Sequence, residues 1–218
     1  MGNDYNNQDN IDWNELFGSD DSSDEYDNDN SNTKLNIKTW SLIPGLVLAK
    51  EAISHEAQMK LLQAITDNRY FHDDIDQAIC FGTLPKHFSW LETWAKTKGS
   101  ELFPSVITSR RPLFDQAFIN LYPKGKGIKS HVDLLRFDDG ILSISLLSSC
   151  VMMMKKDNQK IPVVLRPGDV LALSGEARYQ WEHGIEEKTS DQVDGEWIER
   201  GTRVSITLRK MVQTLNFE

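Results

Sequence analysis

From residue 115 onward, apolar residues fall in short alternating stretches broken by turn residues, and no long helical period appears. Residues two apart on a strand share a face. The pattern therefore predicts strands over 116–122, 141–147, 150–155, 161–165, 169–173 and 202–209. Arg166-Pro167-Gly168-Asp169 separates two of them, and Pro followed by Gly fits the centre of a type II turn. Upstream the period changes. Ala57, Leu61, Leu62 and Ile65 share one helical face, which predicts a helix over 55–66 capped by Ser54. Pro85 starts a second helix reaching Lys98, with Phe88, Leu91 and Ala95 on one stripe. Trp90 and Trp94 on that helix read as packing residues. Together these elements predict an α+β chain, a double-stranded β-helix (jelly roll) with N-terminal supporting helices.

Residues 1–36 break both patterns. They are rich in Asn, Asp and Ser and bury too little apolar surface to offset ordering entropy, so they read as a disordered acidic tail ahead of a domain over 37–218. Residues 1–33 hold ten acids and no Lys or Arg, out of 33 acids and 24 basic residues in the whole chain. The remainder has 23 acids against 24 bases, a charge near +1, although the whole chain is at −9. Such a body is not built to grip duplex DNA mainly by charge. Ile11, Trp13, Leu16 and Phe17, and then Tyr26, stand among the tail's acids. One reading is a solvated tail. The other is an anchor for a basic protein such as a histone, steered by the acids.

Cys80 and Cys150 are the only cysteines and make no C-x-x-C, which suits a reducing compartment. The polar start shows no signal or transit peptide. The uncharged stretch 140–154 is too short and too polar to cross a bilayer core of about 30 Å. The expectation is a soluble intracellular protein, in nucleus and/or cytoplasm, with no membrane partner.

The chemistry concentrates late in the chain. His131-Val132-Asp133 and His183 offer two imidazoles and a carboxylate, a set that holds Fe(II) and leaves coordination positions open. His131 and Asp133 share a parity at or just beyond a strand end, and His183 must come from another strand. In the last strand Arg203, Ser205, Thr207 and Arg209 alternate with Val204, Ile206 and Leu208. Two arginines directed into a sheet sandwich need anions. A dicarboxylate such as 2-oxoglutarate fits, its keto acid end on iron and its carboxylates on arginines. Asn120 and Tyr122 form another polar pair of matching parity, placed to bond the same ligand.

Asn120-x-Tyr122, Gly125 and Gly127, His131-x-Asp133, Gly175-x-x-Arg178-x-x-x-x-His183-Gly184-Ile185 and Arg203-x-Ser205-x-Thr207-x-Arg209 resemble the AlkB family of Fe(II)- and 2-oxoglutarate-dependent dioxygenases. The resemblance runs over roughly residues 40–212 and takes in Ile43-Pro44-Gly45-Leu46. It implies iron ligation by His131, Asp133 and His183. It implies that Arg203, helped by Tyr122 and Ser205, holds the far carboxylate of 2-oxoglutarate, and that Arg209 and Asn120 serve the carboxylate beside the metal. Arg178 is an implied substrate-side residue, and Arg136, just after Leu135, is a second substrate-side candidate. Iron with 2-oxoglutarate and O2 hydroxylates a C–H bond, and on an N-methyl group the product collapses to formaldehyde. Phe114-Asp115-Gln116, the 143–152 stretch and Gly175-Glu176-x-Arg178-Tyr179-x-Trp181 look most like the oxygenase domain of tRNA wobble-uridine modifying enzymes. The repair branch usually has an acid two positions after the ligand Asp, where this chain has Leu135.

Two substrates are open from the sequence. One is a nucleobase in RNA or single-stranded nucleic acid, with Lys124, Lys126, Lys129, Arg110 and Arg111 meeting phosphates. The other is a basic protein such as a histone, favoured by the acidic residues of 186–199.

Overall fold

The computed structural model describes residues 34–72 and 74–212. The expected tail lies outside the described residues as far as residue 33, and β1 (Asn36–Thr39) already begins at its last position. After β1 come β2 (Leu46–Lys50), α1 (His55–Asp67), β3 (Gln77–Phe81), α2 (Lys86–Lys96), a 3-10 turn at Ser100–Leu102 and α3 (Ser105–Thr108). Then follow β4 (Gln116–Tyr122), β5 (Ile128–His131), β6 (Ile141–Leu146), β7 (Cys150–Lys156), β8 (Gln159–Leu165) and β9 (Val170–Leu173). The chain ends through α4 (Gly175–Tyr179), β10 (Glu182–Ile185), β11 (Ser190–Val193), β12 (Glu196–Glu199) and β13 (Arg203–Arg209).

The alternation drives two sheets together. The larger has the order β1-β2-β9-β6-β13-β4-β3, the smaller β5-β10-β7-β8, and β11 and β12 form a separate ribbon. This is the expected jelly roll with helices ahead of it. Ser54 caps α1 by accepting from the Ala57 N–H at 3.2 Å. Gly168, with φ +84°, takes the left-handed position of the expected turn.

Register divides the larger sheet's inner face into two halves. One row reads Leu48, Leu171, Ser143, Thr207, Phe118 and Ile79 across six neighbouring strands. Its β2 and β9 end is apolar and meets Cys150, Met152, Met154, Val163, Leu165 and Ile185 of the smaller sheet in one buried cluster. Its β6, β13 and β4 end carries hydroxyls, arginines and aromatics, and there the site lies. On the opposite face Leu142, Ile144, Ala117, Ile119, Val204, Ile206 and Leu208 are all fully buried. The buried stripes of α1 (Leu61, Leu62, Ile65) and α2 (Phe88, Leu91, Ala95) offer the apolar cover that such a face requires.

Candidate active site

β5 and β10 are antiparallel, and His131 stands directly opposite His183. Opposed residues project to the same face, so the two imidazoles lie with ring centroids 4.5 Å apart. Asp133 follows two residues later, in the turn beyond β5, and its Oδ2 is 3.4 Å from His183 Nε2. One ligand atom from each of the three residues falls within 4.8 Å of the others. The Nδ1 of His131 is 2.8 Å from the Lys129 carbonyl, which fixes that nitrogen as the donor and turns Nε2 to the centre.

Burial pushes His183 down to about 4, against an opposing pull from Asp133. The imidazole is therefore held neutral, the form that ligates metal. Asp133 Oδ2 is buried and accepts no hydrogen bond, and such an oxygen is costly unless a cation meets it. The other oxygen, Oδ1, takes Arg209 at 2.5 Å.

β13 delivers two guanidiniums to this face. Arg209 stands at the metal end, its guanidinium carbon 4.4 Å from the Phe118 ring and 4.8 Å from Phe137. Burial lowers its proton affinity, and Asp133 opposes the shift. Arg203 stands at the other end of the strand, 5.3 Å over the Tyr122 ring, and donates to Ser145 Oγ at 2.8 Å. Among the described residues Arg203 forms no ion pair, and its buried Nε has no partner. Burial raises the Tyr122 phenol, with the Arg203 charge and a hydrogen bond to Ser205 opposing. A cleft lined by Tyr122, Cys150, Ile185, Arg200 and Arg203 opens at this end. A carboxylate there would neutralise a buried cation that otherwise has no counterion.

The profile of the 2OG-Fe(II) oxygenase superfamily matches residues 1–209. The chain belongs to that superfamily. Bovine alpha-ketoglutarate-dependent dioxygenase alkB homolog 7, mitochondrial, is 33% identical over 166 residues, 74% of this chain and 73% of that protein. The tRNA (carboxymethyluridine(34)-5-O)-methyltransferase ALKBH8 of Macaca fascicularis is 31% identical over 222 residues, covering 82% of this chain. The chain spans only 32% of that protein's length. The solved structure of OsALKBH1 shares the fold, with a TM-score of 0.60 at 16% identity over 80% of this chain and 99% of the other.

As a member of this superfamily the chain is a 2-oxoglutarate-dependent dioxygenase using Fe(II), 2-oxoglutarate and O2. The donor set fits that chemistry. Two imidazoles and a carboxylate with one unpartnered oxygen suit Fe(II), and Arg203 suits the far carboxylate. The cosubstrate residues expected from sequence line one continuous surface: Tyr122, Arg203, Ser205 and Arg209 on neighbouring strands, with Asn120 opposite Ser205. Asn120 Oδ1 takes a hydrogen bond from Gln77 Nε2 at 2.5 Å, which turns its amide NH2 free for a ligand.

Other positions depart from expectation. Arg178 is not on the substrate side: it is 1% exposed and its guanidinium binds backbone carbonyls. Arg136 stays exposed in the turn after Asp133, its guanidinium carbon 5.1 Å from the Phe137 ring. Arg110 is held by Asp138 at 3.4 Å and by the Asp139 carbonyl, and Arg111 donates to the carbonyls of Ser109 and Arg110. Arg110 is thereby engaged within the fold, whereas Arg111, Lys124, Lys126 and Lys129 are exposed. Three contributors had no role in the sequence reading: Ser145, which anchors Arg203, and Phe118 and Phe137, which flank Arg209. Phe118 shares the parity of Asn120 and Tyr122, and that signal was available. Phe137 lies in a turn and carried none.

Proposed function

We propose that this dioxygenase hydroxylates a neutral substituent on a nucleobase of RNA or another single-stranded nucleic acid. The observation that carries this reading is the turn after Asp133. Leu134 and Leu135 are 58% and 76% exposed there, and Arg136 follows. The next acids are already engaged. Asp138 pairs with Arg110, and Asp139 Oδ1 accepts from the Gly140 and Gly175 N–H groups at 2.8 Å. An N-alkylated base is cationic and needs an anion at the mouth of the site, whereas this turn offers apolar side chains and a cation. A neutral base such as a uridine suits it, and there the inserted hydroxyl stays on carbon.

β3 supports the same reading. Ile79 and Phe81 are 42% and 58% exposed, on the sheet face that carries Phe118 and Asn120. They offer apolar surface on which an unpaired base stacks, each stacked base being worth about 1–3 kcal/mol. The exposed Lys124, Lys126 and Lys129 are available to phosphates, and the macaque relative's name specifies a tRNA uridine. In this reading bound Fe(II) with 2-oxoglutarate and O2 supplies the oxidant, with succinate and CO2 as co-products. Arg203 and Tyr122 hold the far carboxylate, and Arg209 steadies Asp133.

The basic-protein reading loses part of its support, because three of the six acids of 186–199 are paired within the fold. Glu186 pairs with Lys188, Glu196 with Arg166, and the buried Asp191 with Arg200. The test is succinate release from 2-oxoglutarate with Fe(II), offered an anticodon stem-loop, DNA containing N-methyladenine, or a histone peptide. The expected outcome is stimulation by RNA and a product heavier by one oxygen. Formaldehyde from the methylated DNA, or oxygen found only on the peptide, would overturn the proposal.

A further inference from the structure

We propose that Arg178 is a positioning residue that fixes the Asp133–Phe137 turn, and with it the metal-facing carboxylate and the exposed Leu134-Leu135-Arg136 tip, in one pose. The proposal rests on the superfamily's metal chemistry and is independent of which substrate is used.

Arg178 donates through Nη1 to the Asp133 carbonyl at 3.0 Å, and through Nη2 to the carbonyls of Leu134 at 2.8 Å and Phe137 at 2.9 Å. Its guanidinium carbon lies 4.7 Å from the Tyr179 ring. The buried Asp133 and Phe137 carbonyls would otherwise be left without donors, at about 1–3 kcal/mol each, and the Leu134 carbonyl would keep only the Phe137 N–H. A planar guanidinium reaches several acceptors at once, whereas a lysine ammonium is a point donor.

The segment carrying Arg178 is itself anchored. The Ala177 N–H donates to the Pro44 carbonyl at 2.9 Å, and Lys156 Nζ reaches Glu176 and Gln180 at 2.8 Å each. Five residues later the same segment supplies His183. The far side of the turn is tied to the chain just beyond Arg209: the Asp138 N–H donates to the Lys210 carbonyl at 2.7 Å, and the Val212 N–H to the Arg136 carbonyl at 2.9 Å. The turn bearing Asp133 is thus clamped between the segments that bear His183 and Arg209.

Charge and position make opposite demands, which gives a clean test. The Arg178 guanidinium sits on the backbone of a metal-facing residue, and a cation there disfavours a second cation nearby. Removing that charge would tighten metal binding if electrostatics were its main effect on the site. Removing the clamp would loosen it.

The experiment titrates full-length wild type, Arg178→Gln and Arg178→Lys with Mn(II) alone, following the metal's spin resonance. The expected result is an affinity loss of about ten-fold or more in Arg178→Gln, the size seen when a residue orienting a ligand is lost, with no rescue by Arg178→Lys. Unchanged or tighter Mn(II) binding by Arg178→Gln, or full rescue by Arg178→Lys, would overturn the proposal. Should both variants fail to fold, amide hydrogen exchange of the wild type decides. The Phe137 N–H, bonded to the Leu134 carbonyl at 3.0 Å, and the Asp138 N–H should be protected before metal is added. Free exchange of both until Mn(II) arrives would show that the metal sets the turn, and the proposal would fall.

Discussion

Arg203 and Arg209 are the same residue type on the same face of one strand, yet their surroundings give them different work. Arg203 has a hydroxyl and an aromatic ring for company and no carboxylate, so its charge is available to a ligand. Arg209 is already paired with Asp133. Arg203→Gln should therefore raise KM for 2-oxoglutarate roughly 30-fold, from the loss of about 2 kcal/mol of charge-assisted hydrogen bonding, and leave Mn(II) affinity unchanged. Arg209→Gln should weaken Mn(II) binding as well, because it strips Asp133 of its partner. Steady-state kinetics beside a metal titration separates the two, and equal effects of both variants on Mn(II) would refute the assignment. His183 gives a second prediction. Its value is about 4 in the metal-free fold against 6.5 unperturbed. Between those values the unfolded chain binds more protons, so stability rises with pH. The contribution is complete above about 6.5 and lost as pH falls toward 4. Urea midpoints of the metal-free protein should fall over that window, and the fall should be smaller in His183→Asn.

At the level of elements, β5 is the vulnerable strand. It lies at the edge of the smaller sheet, with β10 as its one neighbour, and it carries His131. A Cβ on Gly184 of β10 would stand 2.8 Å from the Ser130 backbone, so the side chain missing there allows the strands to approach. Gly184→Ala should push β5 outward, costing about 1–3 kcal/mol and weakening Mn(II) binding through His131. Ile206→Ala, on the fully buried opposite face of β13, should cost about 2–5 kcal/mol and leave Mn(II) affinity intact in the folded fraction. Thermal melts paired with metal titrations tell these apart, and intact metal binding in Gly184→Ala would contradict the β5 account. β5 also marks where sequence reading stops. β4 and β13 run seven residues each and alternate cleanly, so both their ends and their inward residues are legible. Ile-Lys-Ser-His of β5, Glu-His-Gly-Ile of β10 and the ribbon strands β11 and β12 are four residues long, too short to show a period. They become strands through partners far away in the chain. The ligand triad could still be read, because residue type and the two-residue spacing suffice for it. The role of Arg178 could not, because its carbonyl partners lie 41–45 positions away and a carbonyl has no sequence signature.

Over the whole chain, charge separates the two substrate readings by sign. Ten acids sit within residues 1–33, and the remaining 23 acids and 24 bases nearly cancel. The chain's net charge of −9 disfavours association with a phosphate-bearing substrate and favours a basic protein. Replacing the ten acids with Asn and Gln takes the formal charge from −9 to +1 without changing the length. If RNA is the substrate, binding of an anticodon stem-loop should tighten several-fold at low ionic strength. The gain should fade near 1 M salt, where the screening length is about 3 Å. If a histone is the partner, the same replacement should weaken its capture, and added salt should weaken wild-type capture in parallel. Filter binding of both ligands to both proteins across a salt series reads the two signs in one experiment. RNA affinity that does not respond to the replacement, together with lost histone binding, would reverse the choice of substrate made from Leu134, Leu135 and Arg136.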